Sequence, residues 1–526
     1  LDASLHPGDS PDVRVPLWVW FILALLAFAV RAAFILKGHP AFDSDEALDF
    51  MYLRQWAGVM APENLDAAVG RASGLRLFTG SLAFRFAPNQ LFAASYLAAA
   101  LSVVGTIPWI LWLDRTVSRR AALAAAVALT LAPLSIAYYG TMFQRRLFTQ
   151  LFGGILVLFC GRWLRTRIGS WSLGFLVGWV FFEEFFSAFI SVPVLVYELF
   201  FVRGNSESFL RRVSWLGFGI AVGGAYGLGL LWKGGDLDPT ATSFGLVSWD
   251  GMVWHFRMLI EVFPQFLNGN FSFGNLQYSS LGQAVDPMAG GFWKGFWWVW
   301  TLVLFLSTVF GFWSCRRNVR RKGMPTLWLA FPAIAYVVFF VVSSQVVDFR
   351  SLRYLNFILL FLCLGFGMVA HSLAKCGKNW FVAVLLAWAL VNGYWTLHRL
   401  VLLPRQGSFQ VIQQALEDRG LRSGYANSWV SEGVRYLSRD RFLLNPTNVP
   451  PVSREAFQAA HRDKRIALVL VDSMDSPEKS GQIVSEIEKS GYRPTGRYRF
   501  EIPGWSIVEF ERVKGKDAIE GLPPKG

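Results

Sequence analysis

The sequence predicts an all-helical polytopic membrane bundle of about eleven transmembrane helices, followed by a C-terminal soluble α/β domain. Three observations carry this. The 526 residues are 54% hydrophobic, 16% aromatic and only 16% charged, where an ordinary soluble domain carries about 25% charged residues. Uncharged runs are long: residues 17–30 and 327–347 hold no Asp, Glu, Lys or Arg, and a hydrocarbon-spanning helix needs about 20 mostly apolar residues. After Pro404 the composition becomes ordinary, with 19 Lys and Arg against 16 Asp and Glu in residues 404–526. A soluble enzyme, a disordered scaffold and a nucleic-acid binder are excluded by this composition.

Apolar spans fall near 16–36, 90–113, 121–139, 147–164, 171–183, 185–201, 214–232, 292–314, 325–344, 354–373 and 379–398. The run opening at Pro16 has no convincing small-residue cleavage site and reads as a first spanning helix. Alternate gaps are basic: Arg115, Arg119 and Arg120; Arg162, Arg165 and Arg167; Arg203, Arg211 and Arg212; Arg316, Arg317, Arg320, Arg321 and Lys322; Lys375 and Lys378. The formal net charge of +14 is thus a topology signal, because Lys and Arg favour cytoplasmic loops. It places the N-terminus inside, and gaps 37–89, 140–146, 233–291 and 345–353 outside with the tail. Residues 171–201 could form one helix of ~46 Å at 1.5 Å per residue, too long for a ~30 Å layer. Two helices turning at Glu183 and Glu184 preserve the charge alternation. Cys160, Cys315, Cys363 and Cys376 lie in apolar runs or at their basic ends, so no disulfide framework is expected.

The domain reading is a membrane domain over 1–403 and an α/β domain over 404–526. In the tail, strand-like runs at 466–471, 498–502 and 505–510 alternate with helical patterns at 409–419, 432–438, 454–461 and 477–490.

Chemistry concentrates in the first outward loop, His39-Pro40-Ala41-Phe42-Asp43-Ser44-Asp45-Glu46-Ala47-Leu48-Asp49. Asp43 as N-cap with Glu46 at N3 makes a capping box, and acids in a first turn suit the helix dipole. The helix that follows, with Leu48, Met51, Tyr52 and Trp56 on one face, looks amphipathic and suited to a membrane surface. The same geometry sets Asp45 and Glu46 where an acceptor hydroxyl could be deprotonated or a divalent cation held. Both readings stand on the same residues. If a cofactor ion such as Mg or Mn is needed, Asp43, Asp45 and Glu46 are its candidate ligands.

A first span, a surface loop with an Asp-Glu pair, some ten further spans and an outward soluble tail resemble the GT-C glycosyltransferases. The segment Phe42-Asp43-Ser44-Asp45-Glu46-Ala47 is similar to the loop of the protein O-mannosyltransferase and aminoarabinose transferase group. The resemblance implies an integral membrane enzyme that takes a sugar from a polyprenyl-phosphate carrier. It would transfer that sugar, with inversion, to a protein, lipid or polysaccharide acceptor on the non-cytoplasmic face of a bacterial inner membrane. It also implies a catalytic Asp45, with Glu46 and Asp43 beside it.

Other outward positions fit this resemblance. The family often has an Arg in the second outward loop, sometimes with an acid; here Arg145 and Arg146 are present and the acid is not, so Glu183 and Glu184 become the candidates for a second acidic site. Snorkelling at the interface is the structural alternative, against which outward basic residues oppose the usual charge bias and so need a reason. The stretch Asp348-Phe349-Arg350-Ser351-Leu352-Arg353-Tyr354 enters a late span with an Arg-Tyr pair similar to the family's carrier-phosphate contact. A guanidinium offers a planar fork to a phosphate and stabilises its charge as it departs, while ion pairs from Asp348 to Arg350 or Arg353 are the structural alternative. The Gly- and aromatic-rich loop 233–291 could be a lid, with a second surface helix over 249–263 carrying His255 and Arg257 as acceptor-facing candidates. A His among Trp and Phe is more often packing than a base.

Two other classes share these features. A transporter or flippase of a lipid-linked solute would have many spans and outward arginines, but this chain shows no internal repeat and no mid-span polar cluster. A non-catalytic subunit of a membrane complex would keep the acidic loop as a helix cap alone.

Overall fold

The computed structural model describes residues 15–37, 44–59, 74–133, 135–136, 140–141, 143, 146–201, 206–233, 245–267, 291–315, 326–344, 346, 351–352, 355–375, 383–384, 387–394, 408–447, 454–471, 477–500 and 505–513. The chain divides into two compact units. One comprises 1–34, 95–233 and 239–402; the other comprises 35–94, 234–238 and 403–526. The first outward loop therefore groups with the tail.

The first unit is helical: α1 (Leu17–Leu36), α4 (Ala93–Thr116), α5 (Arg119–Leu131), α6 (Arg146–Trp163), α7 (Arg167–Glu183), α8 (Ala188–Val196), α9 (Ser206–Lys233), α10 (Trp249–Glu261), α11 (Phe263–Leu267), α12 (Gly291–Cys315), α13 (Ala330–Val342) and α14 (Asn356–Lys375). Each of the eleven expected spans contains described helical residues. By length and composition, four described helices can cross a membrane: Leu17–Leu36, Ala93–Thr116, Gly295–Cys315 and Phe357–Ala374. Shorter apolar helices cover Arg167–Phe182, Phe185–Phe200 and Ala330–Val342. Expected spans are cut short for local reasons. The α5 helix stops at Leu131 because Pro133 pushes Ala132 out of the helical region, to φ −66° and ψ 120°.

Helix directions follow from close glycine contacts. A Cβ on Gly174 or Gly178 of α7 would strike the carbonyls of Leu216 and Ile220 on α9, and one on Gly219 or Gly223 would strike Trp171 and Phe175 in return. Two small-x3-small stripes thus bring α7 and α9 into backbone contact, as in membrane helix pairs, and the matching numbers rise together, so the helices are parallel. The same holds for α4 with α6, where the Trp109 indole donates to Gln150 O at 2.8 Å. It holds for α12 with α14, where Thr308 meets Leu362 and Ser314 meets Ser372. In α5, by contrast, Ser118 meets His371 while Ala121 and Ala125 meet Gly367 of α14, an antiparallel pair. These relative directions are consistent with the alternation of the basic gaps.

Between α7 and α9 the chain turns back. Glu184 leaves the helix with φ −156° and ψ 107°, a 3-10 turn covers Phe185–Ser187, and α8 continues into a π turn at Tyr197–Phe201. Glu198 in that turn lies against Gly161 near the end of α6, so α8 returns to the end from which α7 started. The break at Glu184 is the turn expected for a paired hairpin.

The second unit contains α2 (Ser44–Trp56), α3 (Gly74–Phe86) and the tail elements α15 (Ser408–Asp418), β1 (Ser423–Ala426), α16 (Ser428–Ser438), β2 (Leu443–Pro446), α17 (Arg454–Arg462), β3 (Arg465–Val471), α18 (Pro477–Lys489), β4 (Tyr492–Arg499) and β5 (Trp505–Arg512). The sheet order is β2-β1-β3-β5-β4. Strands β1, β2 and β3 are parallel, and β5 runs antiparallel to β3 and β4. Ile466, Leu468, Leu470, Ile487, Tyr492, Val508 and Phe510 form a core under one face. The strand expected at 498–502 is instead β4, ending at Arg499. It is a solvent-exposed edge strand whose Arg, Pro, Thr and Gly residues lack an apolar alternation.

Candidate functional site

At the end of the bundle that the charge pattern turns outward, Arg146 opens α6. It is buried, and its guanidinium carbon sits 5.5 Å from the centre of the Phe186 ring. A snorkelling side chain keeps its head in water, whereas this guanidinium packs on an aromatic ring. Its place at a helix N-terminus adds a full positive charge to the positive end of the helix dipole, and the two together suit an anion.

Phe186 belongs to the turn that follows Glu184. Tyr336 on α13 donates its hydroxyl to Phe186 O at 3.1 Å, and its ring stacks on Phe186 at 5.7 Å and on Phe357 at 5.2 Å. Phe357 lies in the first turn of α14. One aromatic column therefore draws together the start of α6, the half-buried Glu184 turn and the start of α14, three places the sequence singles out. The side chain of Glu183 and all of Arg145, Arg350 and Arg353 lie outside the described residues.

Helix α10 begins where Ser248 caps Gly251, close to the expected start at 249. Its segment is fastened to the end of α13. Val247 N–H donates to Val342 O, Ser344 N–H donates to Gly245 O, and Leu246 bridges Ser343. His255 is buried, with Nδ1 at 2.8 Å from Val341 O and Nε2 at 2.9 Å from Val346 O. Both ring nitrogens face backbone carbonyl oxygens, so in this structure the ring is a latch between α10 and the end of α13. Arg257 is exposed and pairs with Glu261 one turn on at 3.2 Å.

In the second unit, α2 starts at Ser44, which sets Asp45 and Glu46 in its first turn as a capping box requires. The helix is not a bare surface helix. Ala47, Phe50, Met51, Tyr52 and Leu53 are all buried, packed against α3 and α16. Glu46 is buried and close enough to Tyr436 of α16 to act on it electrostatically. Asp49 forms an ion pair with Arg76 on α3. Asp45 is placed by its backbone alone, and Asp43 lies outside the described residues. Among the described residues, no group of three or more His, Cys, Asp and Glu could hold a metal ion.

Sequence reasoning missed Arg31. It is buried in α1 and donates to Ala27 O at 2.6 Å and to Ser135 Oγ at 2.5 Å. Gly140 packs so close that a Cβ there would strike both Arg31 and Ser135 O. The available signal was a lone arginine in an otherwise uncharged span, which is costly and therefore selected for a purpose. Tyr336 gave no signal, since one Tyr in a Phe- and Val-rich run looks like packing.

No protein-family model matches the sequence, and no curated protein matches it. Solved structures do. ArnT from Cupriavidus metallidurans in the apo state is similar at TM-score 0.56 and 14% identity, over 94% of this chain and 97% of its own. ArnT from the same organism bound to undecaprenyl phosphate is similar at TM-score 0.50 and 13% identity, over 95% and 98%. The Archaeoglobus fulgidus oligosaccharyltransferase in complex with Zn and sulfate is similar at TM-score 0.50 and 14% identity, over 93% of this chain and 72% of its own. Identities this low speak for the fold alone. At that level the chain is a membrane protein with the fold of the GT-C glycosyltransferases, the group its first outward loop resembles.

Proposed function

We propose that this protein is an inverting glycosyltransferase of the outer face of a bacterial inner membrane, with a polyprenyl-phosphate-linked sugar as donor. The supporting observation is the shared fold, end to end, with an ArnT structure bound to undecaprenyl phosphate. A buried arginine at the start of α6 adds a built place for an anion.

The step is a single displacement. An acceptor hydroxyl oxygen attacks the anomeric carbon, the bond from that carbon to the phosphate oxygen breaks, and polyprenyl phosphate leaves with the bonding pair. Asp45 takes the hydroxyl proton, a general-base contribution of about 10²–10⁴-fold. Glu46 and Asp43 orient the loop, and were the reaction to need a Mg or Mn ion, Asp43, Asp45 and Glu46 are the residues that would hold it. Arg146 and Arg353, with Arg145 and Arg350, offset the charge on the departing phosphate. The tail shares the non-cytoplasmic side with the acidic loop, and the acceptor is a protein, lipid or polysaccharide.

The experiment is release of polyprenyl phosphate from a labelled polyprenyl-phosphate hexose by purified protein in nanodiscs, with cell-envelope extract as acceptor. Wild type is expected to release it and Asp45→Asn to lose the activity. Release undiminished in Asp45→Asn would move the base elsewhere. No release by wild type across several sugars would favour a transporter or a non-catalytic subunit.

A further inference from the structure

The tail holds the acid-bearing helix through one tyrosine. Tyr436 on α16 donates its hydroxyl to Leu91 O, in the turn before α4. The same hydroxyl accepts a hydrogen bond from Arg54, at the far end of α2. The Arg54 guanidinium lies 6.0 Å from the centres of both the Tyr436 and Phe84 rings. Phe50, one turn earlier on α2, meets Tyr436 edge-on at 5.8 Å and Phe84 at 5.7 Å. Two turns of α2, the end of α3 and the following turn therefore converge on one residue of the tail. Burial pushes the Tyr436 hydroxyl well above the usual tyrosine range, which keeps its proton in place for donation.

A second observation comes from the backbone. Arg439 and Asp440, immediately after α16, both have positive φ, 54° and 59°. Two consecutive non-glycine residues in the left-handed region cost of order 1–3 kcal/mol each and persist only where the surroundings fix them. Here the strain serves two contacts. Arg439 donates to Asn89 O at 2.8 Å, in the same turn that Tyr436 grips, and Asp440 accepts from the buried Arg435 at 3.0 Å. The first of these contacts ties the tail to the segment that follows α3.

We propose that Tyr436 and Arg54 are positioning residues, through which the C-terminal domain fixes the helix that presents Asp45. This rests on the transferase reading above. Glu46 is buried beside Tyr436 on the face that also carries Phe50 and Arg54, so the face carrying Asp45 is set by what the tail grips on its neighbour. The tail is then part of the transfer machinery, although none of its residues touches the reacting atoms.

The test uses full-length protein in nanodiscs with Tyr436→Phe, Arg54→Gln and Arg54→Lys, and Tyr498→Ser on the tail's exposed edge strand as control. Two quantities are read: backbone hydrogen exchange across residues 44–56, and kcat and KM for polyprenyl phosphate release from a polyprenyl-phosphate hexose. In Tyr436→Phe and Arg54→Gln, protection over 44–56 is expected to fall and kcat to drop about tenfold to a hundredfold, the usual cost of a small misplacement. KM for the donor stays within about twofold, Arg54→Lys recovers part of kcat, and Tyr498→Ser changes nothing. Unchanged protection over 44–56 would overturn the proposal, and so would lost protection with kcat intact. Exchange in β3 shows whether the tail itself has unfolded; if it has in Tyr436→Phe, Arg54→Gln decides, since it alters only the loop's side. A wild type that releases nothing removes the transferase reading itself, a failure recognised before any variant is compared.

Discussion

The guanidinium of Arg146 lies 5.5 Å over the Phe186 ring, joining the first residue of one apolar helix to the turn after Glu184. The arginine is buried and opens its helix.

Replacing Arg146 is expected to weaken donor use more than stability. Losing a charge-assisted hydrogen bond costs about 1.5–3 kcal/mol, so Arg146→Met should raise KM for a polyprenyl-phosphate hexose by roughly 10- to 100-fold. Arg146→Lys keeps the charge without the planar fork and should fall between. Steady-state kinetics in nanodiscs measure both, and an unchanged KM in Arg146→Met would remove Arg146 from the carrier site.

The α7–α9 contact makes a sharp prediction about glycine. Gly223→Val puts a branched side chain against the Phe175 backbone, and the pair cannot then approach. Little monodisperse protein should be recovered in detergent. Gly217→Ala meets nothing within 4 Å and should be neutral or stabilising, by up to about 1 kcal/mol of helix propensity. Equal yields of the two variants would refute this packing.

His255 tests the latch between α10 and α13. His255→Phe keeps the aromatic volume and removes the ring nitrogens facing Val341 O and Val346 O, where a buried carbonyl left unpaired costs about 1–3 kcal/mol. The melting temperature should fall, with hydrogen exchange rising first over residues 245–261. Unaltered exchange there would show that the backbone contacts at 245–247 suffice.

Alkaline titration should expose the tail's buried tyrosines. Burial raises Tyr425 and Tyr436 well above the ordinary tyrosine range of about 10. The folded state therefore binds these protons more tightly than the unfolded state. The associated stability is complete below the unfolded value and is lost as pH rises beyond it. Ultraviolet titration should show these two among 14 tyrosines ionising late and together with unfolding. Early reversible ionisation of every tyrosine would contradict this burial.

Much of the architecture was legible because transfer into hydrocarbon is a local property of a run of residues. Span positions, their alternation and the start of α2 at Ser44 can each be read within some twenty residues. The short strands β1 and β2 could not be read. The run Ser423-Gly424-Tyr425-Ala426 has little strand propensity, and it becomes a strand because β2 and β3 flank it. Gly424 is required there because a Cβ would strike Ala467 O on β3.

The sequence by itself determined where the described apolar helices lie and that the acids of the first loop open a helix. Charge and hydropathy act residue by residue, so these follow from order along the chain. Only the tertiary structure decided what each polar group meets. It buried Arg31 against a serine 104 residues away, fastened the acceptor-facing candidate His255 to the carbonyls of Val341 and Val346, and set Glu46 beside a tyrosine of the tail. Those outcomes depend on distant helices approaching to hydrogen-bond distance, and low-dielectric burial makes each such meeting costly to leave unmade.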